Sequence, residues 1–290
     1  MKPYEWMVEY TPQKDWIEGH GKFIWLAEVF GMLGGGLYLV SLYFDSLAGL
    51  LIAWLTIVAL KGGFHLVHLG HPLRFWRLFL KPKTSWLSRG LVFVAFFTLF
   101  GLLQLISSVW LPGTRWVTLF KILGGMMALL VAGYGGLVMN YVNGIPFWNS
   151  ALLPLLFAAF GILGGLAVIM LIGLWGPVDL TTVLRFAPVF LLVSACLTAL
   201  YLWSATYMGP AARRSVKELL QGRLAIPLWL GVGLCGAAFP AGSSLYMVLA
   251  DTPSRPLLVI TAIAILIGLF SFNYCLLKGA LYRPLTPTAT

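Results

Sequence analysis

The chain alternates eight long apolar runs with short polar breaks. The runs cover residues 22–44, 46–69, 90–111, 117–140, 150–174, 182–207, 224–249 and 255–280. Each approaches or exceeds the roughly 20 residues that a helix needs to cross a hydrocarbon core. The breaks, among them "LPGTRW", "GIPFWNS", "LWGPVD" and "DTPSRP", carry the proline, glycine and charge that stop helices. Eight spans put both termini on one side of a bilayer. Asp45 and Ser46 are nearly all that separates the first two runs, which predicts a tight antiparallel hairpin. Two loops between spans are long, "HLGHPLRFWRLFLKPKTSWLSRG" (68–90) and "MGPAARRSVKELLQGR" (208–223), and both fall on the side of the termini.

Composition fixes the class. Of the 290 residues, 60% are hydrophobic and 10% charged, with a mean hydropathy of +0.92. A soluble domain carries about 25% charged residues, so this chain lacks the polar surface to cover a globule in water. The prediction is an all-α integral membrane protein of eight transmembrane helices, arranged as two four-helix bundles. A basic loop at the middle of each half suggests a parallel repeat. The expected division is an extramembrane segment at 1–21, a first bundle at 22–140, a second at 150–280 and a tail at 281–290. The first twenty residues hold four acids and no apolar core. A cleavable signal peptide is therefore not expected, and the first hydrophobic helix should insert the chain. The net charge of +10 has no basic soluble domain to use it on nucleic acid. What counts is where the charge falls: 14 Lys and Arg on the terminal side, four on the other. By the positive-inside rule this favours termini in the cytoplasm. Cys196, Cys235 and Cys275 lie far apart in apolar runs and are expected to be buried, inert thiols.

Charges inside spans are costly and mark function by default. The first span carries Glu28; the second carries Lys61, His65 and His68 near its end. At about 1.5 Å per residue, Glu28 and Lys61 lie roughly 9–12 Å deep in the same leaflet and can pair across the hairpin. The fourth span ends "YGGLVMNYVNG", adding Tyr134, Asn140, Tyr141 and Asn143 on that side, and His20 stands just before the first span. One leaflet of the first half thus gathers a polar cluster, whereas the second half is nearly bare, with Asn273 and Tyr274 read as packing or interfacial residues. Haem held by two histidines needs imidazoles on facing helices, and His65 and His68 share one helix. A zinc site lacks supporting cysteine or carboxylate spacing. No haem or metal is expected. The glycines of "GMLGGGLYL" (31–39) and of "KILGG" and "GILGG" are read as contact points for close helix packing.

The loop "HLGHPLRFWRLFLKPKTSWLSRG", with "GIPFWNSALLPLLF" (144–157), resembles the NrfD/polysulfide reductase membrane-subunit family. The likeness covers the first five spans well and the rest by architecture. It implies a quinone-reactive anchor of a molybdopterin oxidoreductase, partnered by a four-cluster iron–sulfur subunit and a molybdopterin catalytic subunit, with no redox cofactor held in this chain. Menaquinone or ubiquinone would then exchange electrons and protons in a pocket among the first four helices. On that reading His20, His65, His68, Tyr134, Asn140 and Tyr141 are the candidate quinone-binding residues. Glu28 and Lys61 are the candidate proton relay. Arg74, Trp76, Arg77 and Arg89 are the candidate docking surface, seated against lipid headgroups or the partner. The expected location is a prokaryotic inner membrane. The basic count puts the terminal face in the cytoplasm, whereas the resemblance implies catalytic subunits on the outer side. A proton- or ion-translocating subunit and a transporter stand as alternatives. A transporter should carry a midplane site between its halves, and here the polar groups crowd one leaflet of one half.

Overall fold

A computed structural model describes residues 10–250 and 254–284. Lys2, the first nine residues of the 1–21 segment, the first three of "DTPSRP" and the last six of the tail lie outside them. Among the described residues, eight helices are long and apolar enough to cross a membrane: α1 (Lys22–Tyr43), α2 (Leu47–His68), α3 (Trp86–Trp110), α4 (Arg115–Asn140), α5 (Leu152–Ile172), α6 (Leu180–Ala205), α8 (Pro227–Leu249) and α9 (Arg255–Lys278). A ninth, α7 (Pro210–Leu220), is short and polar. The membrane spans thus fall within a few residues of the apolar runs. The largest shift is at α3, which starts at Trp86 because Ser85 caps it, accepting from the Ser88 N–H at 3.4 Å.

Both long loops contain helix that their polarity hid. Pro72–Leu80 forms a 3-10 helix. In α7, Ala211, Ala212, Ser215, Val216 and Leu219 are buried, and Arg213, Arg214 and Lys217 face outward. That spacing is the apolar stripe of a helix lying on a surface.

Each half closes into a ring. Helix α1 packs on α2 and α4, α2 on α3, and α3 on α4; α5 packs on α6 and α9, α6 on α8, and α8 on α9. The rings are joined where α1 crosses α5, with α4 also against α5 and α1 against α9. Glycine sets the closeness of that crossing. A Cβ on Gly36 would lie 1.9 Å from the Gly161 carbonyl oxygen, and one on Gly165 would lie 2.7 Å from Gly36. The apolar core does not follow the boundary between rings but divides by depth. One cluster, including Met32, Trp148, Phe160 and Leu276, fills the terminal end; another, including Leu37, Phe97, Leu166 and Ile265, fills the opposite end. Both run through α1 and α5.

The "IPFWNS" stretch has a structural task here. Phe147 and Trp148 are fully buried. The Trp148 indole donates to the Leu276 carbonyl (3.0 Å), and the Tyr201 hydroxyl donates to the Phe147 carbonyl (2.7 Å). This turn therefore ties α4 and α5 to α6 and α9. Of the cysteines, Cys275 is buried and Cys235 half-buried, but Cys196 is exposed. It sits on the outer face of α6 beside the exposed Leu192 and Leu200. An apolar span suits lipid as well as protein, so hydropathy alone did not separate the two.

Candidate functional site

The second helix is not a plain α-helix. Residues Thr56–Lys61 form a π-helical stretch, and the Thr56 hydroxyl donates to the Ile52 carbonyl at 2.7 Å. A π turn holds an extra residue, which changes the face that later side chains present by about 100°. It brings Lys61 and His65, one turn apart, to face α1.

There Lys61 Nζ lies 3.7 Å from Glu28 Oε1, and His65 Nε2 lies 3.8 Å from the same oxygen. Among the described residues, Glu28 and Lys61 are the only charged side chains that are buried. The pair expected across the hairpin is present. Lys61 also approaches the Ala27 carbonyl at 3.5 Å and lies 5.3 Å from the centre of the Tyr134 ring. An ammonium over an aromatic face is attracted by the ring quadrupole, so three groups offset its desolvation. Tyr134 is buried, and its hydroxyl donates to the Trp86 carbonyl at 3.3 Å.

Glycines make the room. A Cβ on Gly31 would come within 2.7 Å of Lys61 Nζ, one on Gly135 within 2.2 Å of Glu28 Oε2, and one on Gly90 within 2.0 Å of the Tyr134 ring. These three were not legible from the sequence as part of the site. A glycine opposite a charge on another helix is visible only after the helices are placed.

His65 differs from its neighbours in access. Its side chain is 34% exposed, against 1% for Lys61 and 5% for Glu28. It therefore links the buried pair to the surroundings. Beside it runs an aromatic wall that the sequence pattern also hid. Phe64 stacks on Phe23 (6.2 Å between ring centres) and on Phe30 (5.6 Å), and Phe30 meets Phe270 edge-on (6.0 Å).

The remaining candidates sit at or beyond the rim. His68 donates through Nδ1 to the His20 carbonyl (3.1 Å), so His20 joins the group by its backbone while its ring is exposed near Phe23. Asn140 and Tyr141 are exposed at the end of α4, Tyr141 at 60%. The arrangement thus gathers Glu28, Lys61, His65 and Tyr134, places His68 and His20 at the edge, and leaves Asn140 and Tyr141 facing outward. Among the described residues, no group of three His, Cys, Asp or Glu side chains converges to hold a metal ion.

On the same face, Arg74, Trp76 and Arg77 stand exposed on the 3-10 helix, with the Arg77 guanidinium 5.7 Å from the Trp76 ring. Arg89 is different. Its guanidinium donates to the carbonyls of Pro82 and Lys83, both at 2.9 Å, and lies over Trp86 at 4.6 Å. It fastens the loop to α3.

The C subunit of the polysulfide reductase of Wolinella succinogenes is 28% identical to this protein over 259 residues, covering 79% of the present sequence and 80% of the relative. The family model described as "Polysulphide reductase, NrfD" matches residues 41–284, from the end of α1 past the end of α9. The protein is a multi-pass membrane protein, and it belongs to the polysulphide reductase NrfD family.

Proposed function

We propose that this chain is the membrane subunit of an oxidoreductase complex and exchanges electrons and protons with a membrane quinone, menaquinone or ubiquinone. The observation that carries the reading is His65. It is the accessible member of a polar cluster whose other charges are buried, and it stands 3.8 Å from the Glu28 carboxylate. Oxidising a quinol or reducing a quinone moves two protons with two electrons. A site for it needs a hydrogen-bond partner at a ring oxygen and a group that passes the proton on. An imidazole both donates and accepts near neutral pH. Glu28, already within reach of His65 and Lys61, takes the next position, and Lys61 holds its negative charge in the apolar surroundings. The Phe23–Phe64–Phe30 stack supplies a flat apolar wall for a ring.

The electron partner on this reading is an iron–sulfur subunit with four clusters, which hands electrons to or from a molybdopterin subunit that carries the substrate site. Arg74, Trp76 and Arg77 form the seat for that partner on the terminal face, beside the cluster. The excess of basic residues on this face supports termini in the cytoplasm of a prokaryotic inner membrane.

Titration of a soluble naphthoquinol analogue into the purified protein in detergent tests the site. His65→Ala and Tyr134→Phe are each expected to weaken binding about five- to tenfold, roughly the value of one lost hydrogen bond. His20→Ala should change it little, because His20 contributes its backbone. Unchanged affinity in both His65→Ala and Tyr134→Phe would overturn the assignment.

A further inference from the structure

A cavity lies away from the cluster, on the terminal face of the other half. Its volume is about 360 Å³, and its walls come from the N-terminal segment, α7, the turn into α8 and the end of α9. Four cations line it (Lys14, Arg214, Arg223 and Lys278) against two carboxylates (Glu18 and Glu218), an excess of two positive charges. Glu18 is engaged by the Lys278 ammonium, whose hydrogen bond holds its carboxyl below the usual range and keeps it ionised. Lys14, Arg214 and Arg223 then face one remaining carboxylate of the lining, Glu218. Arg214 is oriented in advance, its guanidinium 5.2 Å from the Tyr10 ring.

The wall is tied in place by backbone. Pro12 and Leu281 form an antiparallel bridge, Gln13 donates to the Ala280 carbonyl (2.9 Å), and Tyr282 donates to the Thr11 carbonyl (2.9 Å). The level of the cleft follows from its floor. Lys278 is the last residue of α9, and Leu224 stands just before α8. Trp203, Tyr207 and Trp229 are exposed at the same ends of α6 and α8, and Trp229 donates to the Leu220 carbonyl at 3.1 Å. Exposed tryptophan and tyrosine at span ends mark the headgroup layer.

We propose that this cleft binds the phosphate of an anionic phospholipid headgroup. The chemistry recognised is a phosphodiester whose negative charge no headgroup cation neutralises, met by the Arg214 and Arg223 guanidinium groups, which can fork onto its oxygens. The source is the membrane because the cleft opens at headgroup depth between two span ends, where such phosphates are concentrated. The bound lipid bridges residues 10–18, α7 and the end of α9, and so fastens these segments to one another.

Native mass spectrometry of the purified complex, with melting curves in detergent, tests this. Phosphatidylglycerol should stay bound to the wild type and raise its melting temperature, while phosphatidylcholine and inorganic phosphate should do neither. Arg214→Gln/Arg223→Gln should lose both the bound lipid and the lipid-dependent shift; if that variant fails to fold, Lys14→Gln should show the same loss in part. Equal shifts with both lipids would overturn the proposal, as would an equal shift with phosphate alone. So would a double variant that keeps its lipid but sheds the partner subunits, which would make the cleft a protein-docking site.

Discussion

Glu28 and Lys61 cost the fold more apart than together. Each is buried where an unpaired charge is severely penalised, and each is the other's nearest opposite charge. Glu28→Gln leaves the Lys61 ammonium with the Ala27 carbonyl and the Tyr134 ring alone. It should destabilise the protein by about 3 kcal/mol, the usual result of breaking a buried pair. Glu28→Gln/Lys61→Met removes both charges and should recover most of that loss. Gly135→Ala should act in the direction of Glu28→Gln without removing a charge, since its Cβ would lie 2.2 Å from Glu28 Oε2 and push the carboxylate aside. Chemical unfolding in detergent reads all three. A double variant no more stable than Glu28→Gln would mean that the pair does not hold the helices. The chemistry of these residues was legible from the sequence: a charge within a span has few reasons to be there, and depth alone put Glu28 and Lys61 in register. What could not be read was which polar residues at the same depth turn inward. Tyr134 and Asn140 are six residues apart on α4, and only packing against α3 and α5 decides that Tyr134 points in and Asn140 out.

Helices divide between what hydropathy determines and what it does not. The spans were legible within a few residues because a bilayer demands a fixed apolar length. The two π-helical stretches, Thr56–Lys61 and Pro227–Ala238, were not. They leave the apolar count unchanged while altering which face follows, so a helical wheel drawn straight through α2 misplaces His65. The surface helices at Pro72–Leu80 and Pro210–Leu220 were hidden for a related reason, since short amphipathic stretches between spans read as loops. Glycine packing was legible in kind and is sharply position-dependent in fact. Gly36→Val should prevent α1 and α5 from meeting and abolish the folded, monodisperse protein, because backbone stands where its side chain would go. Gly63→Ala, in α2, has nothing within 4 Å of its added Cβ. It should leave the protein as stable as before or up to about 1 kcal/mol more stable, by helix propensity. Size-exclusion profiles and melting curves of the two variants check the contrast. Equal behaviour would mean that the crossing is looser than its backbone contacts imply.

At the scale of the molecule, the terminal face gathers the accessible His65, both surface helices, the basic cleft and the pinned segments at 11–13 and 280–283. The 3-10 helix on this face is the part whose occupant matters most for function. Leu73 is 90% exposed, Trp76 52% and Leu80 66%, with Arg74 and Arg77 between them. In a 3-10 helix, residues three apart eclipse, so Leu73 and Trp76 form one apolar ridge. A ridge of this kind can sink among lipid headgroups or enter a pocket on another subunit, and the two fates separate experimentally. A tryptophan and an arginine at the centre of a protein interface commonly contribute about 2 kcal/mol or more each when truncated, roughly 30-fold in affinity. Trp76→Ala/Arg77→Ala should therefore strip the partner subunits from the purified complex, while the membrane subunit stays folded and still binds the quinol analogue through His65. A headgroup anchor gives the reverse result: the complex survives the double substitution. Full retention of the partners would move the docking surface elsewhere on the terminal face. Arg89→Gln is the informative companion, since it releases the carbonyls of Pro82 and Lys83 without altering the ridge. If the loop must be held in shape to receive a partner, Arg89→Gln weakens assembly as well. If the ridge alone suffices, it does not.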